Sequence, residues 1–552
     1  MKKLALLLAA VLVMSLALTA CGGAASSSAA TSASSGTTAA ATGEKILTIQ
    51  IGPNTETIDP ALNSAVDGGN MLLFAFDCLL NIAEDGSTIP GAAESYEVSE
   101  DQLTWTFHLR KDLKWSDGTP LTANDFVYSW KRIADPATAA PYAETILGSV
   151  AGFEEATAGD IDKLGVTAPD DTTFVVTLGK PCTFFDKIAA FATTSPVQQA
   201  TVEANGDAWA TQPETYITNG AFYISEWVPD SHILFSKNPN FWNADAVKLD
   251  GIKCLLIEDP NAAYSAYQTG EALMIKDVPT EEIPSLEGNA DFHIAPILGT
   301  YYIDLNYTLE QFQDPRVCTA LSLAIDRDYV AETLMQGTYS AATALVGQGW
   351  YDTDGTVFAD NANGGKPYID NSDFEGNLEK AKQLLADAGY PNGEGFPTIS
   401  YVTNDAGYHK VVGEYLQQAW KELGLTVSVE VVEWASFTSM RRAGDYGVAR
   451  DGWVGDYSDP SNILDNLYSS NGNNNSKYAS ADFDAAMDTA RSTIDPEERS
   501  AALHKAEDIA MTDMSVIPVA FYNDFWLQSD KITGDWHSPY GYWYFQYADI
   551  AE

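Results

Sequence analysis

The residues best suited to chemistry lie in one short stretch, residues 450–460, with the sequence RDGWVGDYSDP. It places Arg450 and Asp456 six residues apart, with the aromatic rings of Trp453 and Tyr457 beside them. Buried charges are stable only when they are paired and hydrogen-bonded, so this combination favours a ligand that carries two opposite charges. A zwitterion such as a peptide fits. The alternative is a surface loop in which Arg450 pairs with Asp451 or Asp456.

No pattern in the sequence predicts catalysis. There is no Walker glycine loop, no G-x-S-x-G elbow and no H-E-x-x-H helix, and the six histidines are isolated from one another. Aspartate and glutamate are so frequent that no spacing singles out an acid–base pair. We therefore expect no catalytic residue, no cofactor and no enzymatic activity.

The five cysteines are widely scattered and do not form a C-x-x-C or Cys/His cluster with zinc-site spacing. A metal site is accordingly not expected. We expect Cys78, Cys182, Cys254 and Cys318 to be small apolar core residues, although one disulfide bond stays possible outside the cytoplasm.

Composition indicates a globular protein and excludes some partners. With 552 residues and 45% hydrophobic content, the chain is long enough for two or three lobes. Its formal net charge is −47, which repels phosphate backbones and anionic lipid surfaces. Nucleic-acid binding and polybasic membrane binding are therefore not expected.

The N-terminus has the pattern of an exported lipoprotein. Residues 1–20 join Lys2 and Lys3 to a short apolar run, which is typical of a secretory signal peptide. The sequence LTAC that ends at Cys21 resembles a lipobox, which implies cleavage before Cys21 and a diacylglyceryl thioether on it. Two acyl chains are enough for stable anchoring. Residues 21–44 are almost entirely Gly, Ala, Ser and Thr, which predicts a flexible tether.

The segments after the tether alternate between strand and helix patterns. Residues 46–51 read as a strand, and alternating apolar residues over 103–109 predict a half-buried strand. Thr122 and Asp125 form a capping box, which predicts a helix that ends at Asp135 before a proline.

The same signals recur in the second half. Asp314 precedes a proline and predicts the start of a helix that runs to Gly337, and Asp495 repeats this pattern. A further helix is expected over about 378–388, followed by a strand over 424–432. These alternations favour α/β lobes.

The 450–460 stretch resembles the GW-x-x-DY segment of extracytoplasmic oligopeptide-binding proteins, the peptide-capturing components of ABC importers in solute-binding protein family 5. Other matching segments lie in the same order along nearly the whole mature chain: 92–101, 107–111, 114–132, 219–222, 237–242 and 314–327.

The resemblance implies an α/β, two-lobed, periplasmic-binding-protein-like fold (type II, cluster C) with an additional small domain and closure about a hinge. One lobe would combine residues 45–83, 201–297 and 521–552. The small domain would span 84–200, and the other lobe, which carries the ligand-binding charges, would span 298–520.

The resemblance also implies roles for charged residues. Asp456 would receive the peptide α-ammonium, and Arg450 and His409 would meet carboxylates of peptides of different length. A helix-start histidine that faces water is the alternative for His409. Two departures bear on peptide length and charge: Leu334 stands where some members have lysine, and Asp451 adds a negative charge beside Arg450.

Four aromatic residues complete the predicted peptide-binding set. Trp434, Trp453 and Tyr142 match positions that wall the cleft in the family, and Tyr457 lies beside Asp456 in the same motif. Buried core aromatics are the alternative for Trp434 and Tyr142.

The function implied by the resemblance is capture of extracellular oligopeptides and their delivery to an ABC permease. The protein would be a monomer, lipid-anchored through Cys21 to the outer face of the cell membrane, as in Gram-positive bacteria. Two alternatives stay open: a receptor of the same fold for dipeptides, nickel chelates or another small solute, and a surface lipoprotein that senses peptides without import. The sequence does not determine the preferred peptide.

Overall fold

The computed structural model describes residues 44–551, except residues 53, 54, 56, 64 and 405–407 and the side chains of residues 434 and 435. The predicted signal peptide, Cys21 and nearly all of the tether lie outside the described residues.

The described chain alternates between strands and helices. The strands are β1 Ile46–Gln50, β2 Leu80–Ile82, β3 Thr88–Pro90, β4 Ala93–Val98, β5 Thr104–Leu109, β6 Val166–Asp170, β7 Thr173–Thr177, β8 Phe222–Val228, β9 His232–Lys237, β10 Gly251–Leu255, β11 Met274–Ile275, β12 Phe292–Leu305, β13 Ser340–Ala341, β14 Ile399–Asn404, β15 Val427–Val432, β16 Val448–Val454, β17 Val516–Gln528, β18 Ile532–Thr533, β19 Trp536–His537, β20 Trp543–Tyr544 and β21 Asp549–Ile550. The helices are α1 Val66–Ala75, α2 Ala123–Ala134, α3 Ala143–Leu147, α4 Phe153–Thr157, α5 Phe185–Ile188, α6 Gln199–Asn205, α7 Pro260–Gln268, α8 Ile283–Leu286, α9 Pro315–Leu323, α10 Arg327–Tyr329, α11 Phe358–Asn361, α12 Phe374–Asp387, α13 His409–Lys421, α14 Trp434–Ala443, α15 Ser461–Leu464, α16 Ala481–Ser492 and α17 Pro496–Asp513.

One large mixed sheet has the strand order β15-β14-β16-β12-β17-β11-β1-β10-β9-β8. Its two longest strands, β12 and β17, lie in the middle. They join strands β15, β14 and β16 on one side to strands β11, β1, β10, β9 and β8 on the other. Residues Phe292–Pro296 of β12 pair with Asn523–Leu527 of β17, and Thr300–Asp304 pair with β17 on one side and β16 on the other. The β12–β17 register shifts between Pro296 and Thr300, and such irregularities let strands bend.

A second, antiparallel sheet has the order β4-β5-β7-β6. With α2–α5 it forms what we call the small-sheet module, residues 93–188. Trp105, Phe107 and Leu109 of β5 are buried, which confirms the predicted half-buried strand. The predicted capping box is present at the start of α2, where Thr122 and Asp125 satisfy each other's backbone N–H groups.

The helix predicted from Asp314 to Gly337 is wrong in its length. Asp314 caps α9 as expected, but α9 ends at Leu323 and a new helix begins after Asp326. Arg327 causes the break, because its buried guanidinium donates to the carbonyl oxygens of Ser322 (3.0 Å) and Pro518 (2.8 Å). The Ser322 carbonyl at the end of α9 therefore accepts from the Arg327 side chain as well as from the Ile325 N–H group.

The other predicted elements are present with shifted ends. The Asp495 cap is confirmed at α17. Helix α12 begins at Phe374, and strand β15 spans Val427–Val432.

Cys78, Cys182, Cys254 and Cys318 are free thiols in the core, which confirms their predicted role and makes the disulfide alternative wrong for these four. Within the described part of the chain, no group of three or more Cys, His, Asp or Glu side chains could hold a metal ion. No described helix combines the length and apolar character needed to cross a membrane.

A buried ion pair attaches the small-sheet module to the rest of the protein. Arg132 of α2 donates from Nη1 to Asp59 Oδ1 (2.8 Å) and from Nη2 to Asp59 Oδ2 (2.5 Å). Trp209 Nε1 donates to the same carboxylate at 2.9 Å. Asp59 is only 3% exposed, so its charge depends on these partners.

Replacing Arg132 with Met should lower the free energy of unfolding by about 3 kcal/mol, because the variant leaves a buried carboxylate without its cation. Lys131→Met is the matched control: Lys131 pairs with Asp162 on the surface, and its loss should change little. Urea unfolding of both variants measures the difference, and equal effects would contradict a structural role for the buried pair.

Candidate functional site

The candidate site lies where parallel strands end. Strand β14 pairs in parallel with both β15 and β16, so the carboxyl ends of these three strands share one edge of the sheet. Helix α13 begins at His409 shortly after β14, and the 450–460 stretch forms most of β16 and the loop that follows it. Ligands of open α/β sheets bind at such edges.

Arg450 and His409 lie together at one end of the site. Arg450 is 7% exposed, and its Nε donates to Asn404 Oδ1 at 2.8 Å. The His409 ring stacks on Tyr301, with 5.5 Å between ring centres. Burial, reinforced by the positive charge of Arg450, lowers the pKa of His409 from 6.5 to about 3. His409 is therefore neutral near pH 7, beside a permanent cation.

Asp451 does not belong to this end of the site. Successive strand residues point to opposite faces, and Asp451 lies opposite Tyr302 in the β12–β16 register. Its carboxylate pairs with Arg441 and accepts a hydrogen bond from Asn475 Nδ2 at 3.0 Å. The surface-loop alternative, in which Arg450 pairs with Asp451, does not describe this structure.

Asp456 lies at the other end, beyond the last residue of β16. Its half-buried carboxylate accepts hydrogen bonds from Asn462 Nδ2 (3.3 Å) and from the Tyr142 hydroxyl. Burial raises the pKa of Asp456 from 3.8 to about 6. Among the described side chains, no Lys, Arg or His nitrogen lies within 4.0 Å of this carboxylate.

Asn462 organises this acidic end, and no sequence pattern had singled it out. Its Oδ1 accepts hydrogen bonds from Trp453 Nε1 (2.7 Å) and from the backbone N–H of Asp456 (3.1 Å), while its Nδ2 donates to the Asp456 carboxylate. The buried side-chain amide of Asn462 therefore positions both the Trp453 ring and the Asp456 carboxylate.

The predicted aromatic residues have different environments. Tyr142 packs against Phe191 and reaches Asp456. Tyr457 is 7% exposed and stacks on Phe184, with 4.5 Å between ring centres. Trp434 begins α14, and its side chain lies outside the described set.

Asp456 also lines a small cavity of about 10 Å³, which has room for about one water molecule. Tyr540, Tyr542 and Tyr544 line the same cavity, and the sequence prediction missed them. Their spacing in the run YGYWY places them on alternate positions, which is the signal that could have identified an aromatic wall.

The glycines of the 450–460 stretch are required by close contacts. A Cβ atom at Gly452 would lie 2.2 Å from the Tyr522 hydroxyl oxygen, and one at Gly455 would lie 2.3 Å from the Trp350 ring. The backbone between Arg450 and Asp456 can pack this closely only without side chains at these positions.

The arrangement can hold two opposite charges at once. Arg450 and Asp456 are six residues apart, so extended backbone places them at most about 20 Å from each other. Between them, Trp453 provides an aromatic surface.

The family model of the bacterial extracellular solute-binding proteins, family 5 Middle, matches residues 87–475. The chain belongs to this family. The periplasmic oligopeptide-binding protein OppA of Escherichia coli (strain K12) is 36% identical over 479 residues, covering 85% of this chain and 86% of that protein. The oligopeptide-binding protein OppA of Bacillus subtilis (strain 168) is 31% identical over 550 residues, covering 97% of each chain.

Solved structures agree with the family assignment. The crystal structure of Haemophilus influenzae OppA in complex with RPPGFSPFR has a TM-score of 0.77 and 30% identity, covering 92% of this chain and 99% of that chain. The predicted fold class is confirmed: an α/β, two-lobed, periplasmic-binding-protein-like architecture of type II with an additional small domain. The family comprises extracytoplasmic solute-binding proteins.

The raised pKa of Asp456 predicts that this residue destabilises the protein at neutral pH. The folded protein binds the Asp456 proton more tightly than the unfolded chain does, so the free energy of unfolding falls as the pH rises from about 4 to about 6. Replacing Asp456 with Asn should therefore stabilise the protein by about 3 kcal/mol at pH 8 and leave its stability nearly unchanged below pH 4. Urea unfolding at both pH values measures the effect. A loss of stability at pH 8 would mean that Asp456 has a structural role.

Proposed function

We propose that this protein is a receptor that captures extracellular oligopeptides and delivers them to an ABC permease. The observation that carries the proposal is the Asp456 carboxylate, which is half-buried, has a raised pKa and has no cationic partner among the described residues. A peptide α-ammonium would supply that partner. Arg450 and His409, at the other end of β16, would receive a carboxylate, and the arginine fork can bind it through two hydrogen bonds.

The relatives support peptides as the ligand class. The Escherichia coli and Bacillus subtilis proteins are named for oligopeptide binding, and the Haemophilus influenzae structure contains the peptide RPPGFSPFR. A receptor that accepts many sequences must read what all peptides share, namely the two charged termini and the backbone amides. The charges of this site meet that requirement without catalytic chemistry, so we propose a binding protein and not an enzyme.

The neutral state of His409 is compatible with this role. A carboxylate placed between Arg450 and His409 would favour the protonated imidazole and raise its pKa from about 3. Neutral His409 can donate one hydrogen bond, and protonation would add charge when an anion is present.

We further propose the lobes expected from the family pattern: residues 45–83, 201–297 and 521–552 in one lobe, 84–200 in the small domain and 298–520 in the second lobe. The boundaries after 297 and 520 fall inside β12 and β17, next to the register shifts of these two strands. Bending there would open and close the site in a hinge motion.

Replacing Asp456 with Asn should weaken the binding of a free-amino peptide by roughly two to three and a half orders of magnitude. A buried ammonium that loses its charged partner costs about 3 to 5 kcal/mol. RPPGFSPFR and its Nα-acetyl form serve as probes. The native protein should prefer the free amine strongly, and the Asn variant should discriminate little.

Isothermal titration calorimetry on the four protein–peptide combinations isolates the coupling between the acid and the amine. Melting temperatures control for folding. If the effects of substitution and acetylation simply add, Asp456 does not hold the peptide amino terminus. If native protein binds neither peptide, this peptide does not support the proposed function.

We propose that the mature protein is a monomer anchored to the outer face of the cell membrane by a lipid on Cys21. The support is the signal-like residues 1–20, the LTAC sequence and the uncharged tether.

Replacing Cys21 with Ala should move the protein from the membrane fraction to the soluble extracytoplasmic fraction, because the variant has no thiol to lipidate. Cell fractionation followed by immunoblotting measures this shift. Cys254→Ala, a change at a buried core thiol, is the control and should stay in the membrane fraction. A membrane-bound Cys21 variant would disprove the lipid anchor.

A further inference from the structure

The loop that carries Asp456 is held by the small-sheet module as well as by its own lobe. The Tyr457 ring stacks on Phe184 with an interplanar angle of 12°. Lys187 Nζ donates a hydrogen bond to the backbone carbonyl oxygen of Ser458 at 2.6 Å. Phe184 immediately precedes α5, and Lys187 lies within this helix. The loop, in contrast, follows β16 of the large sheet.

A third contact joins the same partners at Asp456 itself, which accepts a hydrogen bond from the Tyr142 hydroxyl. Three successive loop residues, 456–458, are therefore each contacted by the small-sheet module. The contacts differ in kind: a hydroxyl on a carboxylate, a stacked ring pair and a charged hydrogen bond on a carbonyl.

The next loop residue, Asp459, is held by a buried ion pair. Arg499 of α17 donates to both oxygens of Asp459, at 2.8 and 2.9 Å, and both residues are buried. The Arg499 guanidinium lies 5.6 Å from the Phe184 ring centre. The loop is thus fixed to its own lobe at Asp459 and to the small-sheet module at Tyr457 and Ser458.

These contacts separate two spaces. On one side lies the small cavity lined by Asp456, Tyr457 and Lys187. On the other lies an open groove of about 1090 Å³, lined by Phe184, Lys187 and Ser458 among others. Lys187 therefore borders both spaces, while Tyr457 lines the first and Phe184 and Ser458 line the second.

We propose that Phe184 and Lys187 form a clasp that locks the loop 456–458 against the small-sheet module and so positions Asp456 for a peptide ammonium. This inference rests on the proposed function. Lys187 is a positioning residue: its ammonium bonds a backbone carbonyl two residues from the acid, so it orients Asp456 without neutralising it. Because the clasp joins two separate sheets, the lobes cannot move apart at this loop without breaking it. Its loss should speed peptide release more than it slows association.

The test uses the full-length chain and two clasp variants, Lys187→Met and Phe184→Leu. Lys187→Met keeps the aliphatic stem and removes the donor, and Phe184→Leu keeps apolar volume and removes the stack. Lys163→Met is the matched control, because Lys163 is an exposed lysine of the same module. RPPGFSPFR and its Nα-acetyl form are the probes in stopped-flow tryptophan fluorescence.

We expect each clasp variant to bind the free-amino peptide about tenfold more weakly, which corresponds to about 1.4 kcal/mol, because each removes one of the contacts that hold the loop. The change should lie in the dissociation rate. The preference for the free over the acetylated peptide should also fall, which a general loss of stability would not cause. Lys163→Met should match the native protein in both measurements.

The outcomes separate this proposal from the one on which it rests. If the native protein prefers the free amine and both clasp variants match Lys163→Met, the clasp is overturned and peptide capture stands. If the native protein binds the two peptides equally, Asp456 does not hold the ammonium and the clasp proposal is overturned, whereas peptide capture stands; if it binds neither peptide, both proposals fail. Should Lys187→Met not fold, Phe184→Leu carries the test alone, with its melting temperature as the check.

Discussion

A carboxylate that is partly removed from water without a cation constrains the whole site. Desolvation disfavours the charged form of Asp456, and its hydrogen-bond donors among the described residues are the neutral side chains of Asn462 and Tyr142. Two neutral hydrogen bonds orient the acid but leave its charge uncompensated. Under the proposed function, this uncompensated charge is what a peptide ammonium would pair with, and an internal lysine or arginine in that place would compete with it.

The large sheet determines where the lobes can move. Only β12 and β17 continue through both halves of the described sheet, and both show register shifts near its middle. Asp456 lies on a loop that leaves β16, next to β12, while Tyr142 belongs to the small-sheet module. Relative motion of these parts changes the surroundings of the acid. If the lobes close as we propose, closure would therefore also complete the surroundings of Asp456.

Local signals predicted much of the fold, and long-range contacts account for what they missed. The capping box at Thr122 and the caps at Asp314 and Asp495 depend on neighbouring residues, so the sequence shows them directly. The break after α9 depends on Arg327 reaching Pro518, almost two hundred positions away, and no local pattern carries that information. The family resemblance supplied Asp456, Arg450 and His409 as candidates. It could not supply Lys187, whose partner Ser458 is 271 positions distant.

Strand geometry separates Arg450 from the neighbouring acid Asp451 in a chain with a net charge of −47. Arg450 and Asp451 are neighbours in sequence, yet alternation along β16 sends Asp451 to the opposite face, where Arg441 pairs with it. Arg450 is held by the neutral oxygen of Asn404. The same logic governs Asp456, which neutral groups hold at the end of the strand. Asp456 is thus positioned by neutral groups that leave its charge in place, and the cost in stability there is offset by fully paired buried ions elsewhere, at Asp59–Arg132 and Asp459–Arg499. The pairs Asp59–Arg132 and Asp459–Arg499 are satisfied within the protein, whereas the Asp456 charge is the one that the proposed function assigns to the ligand.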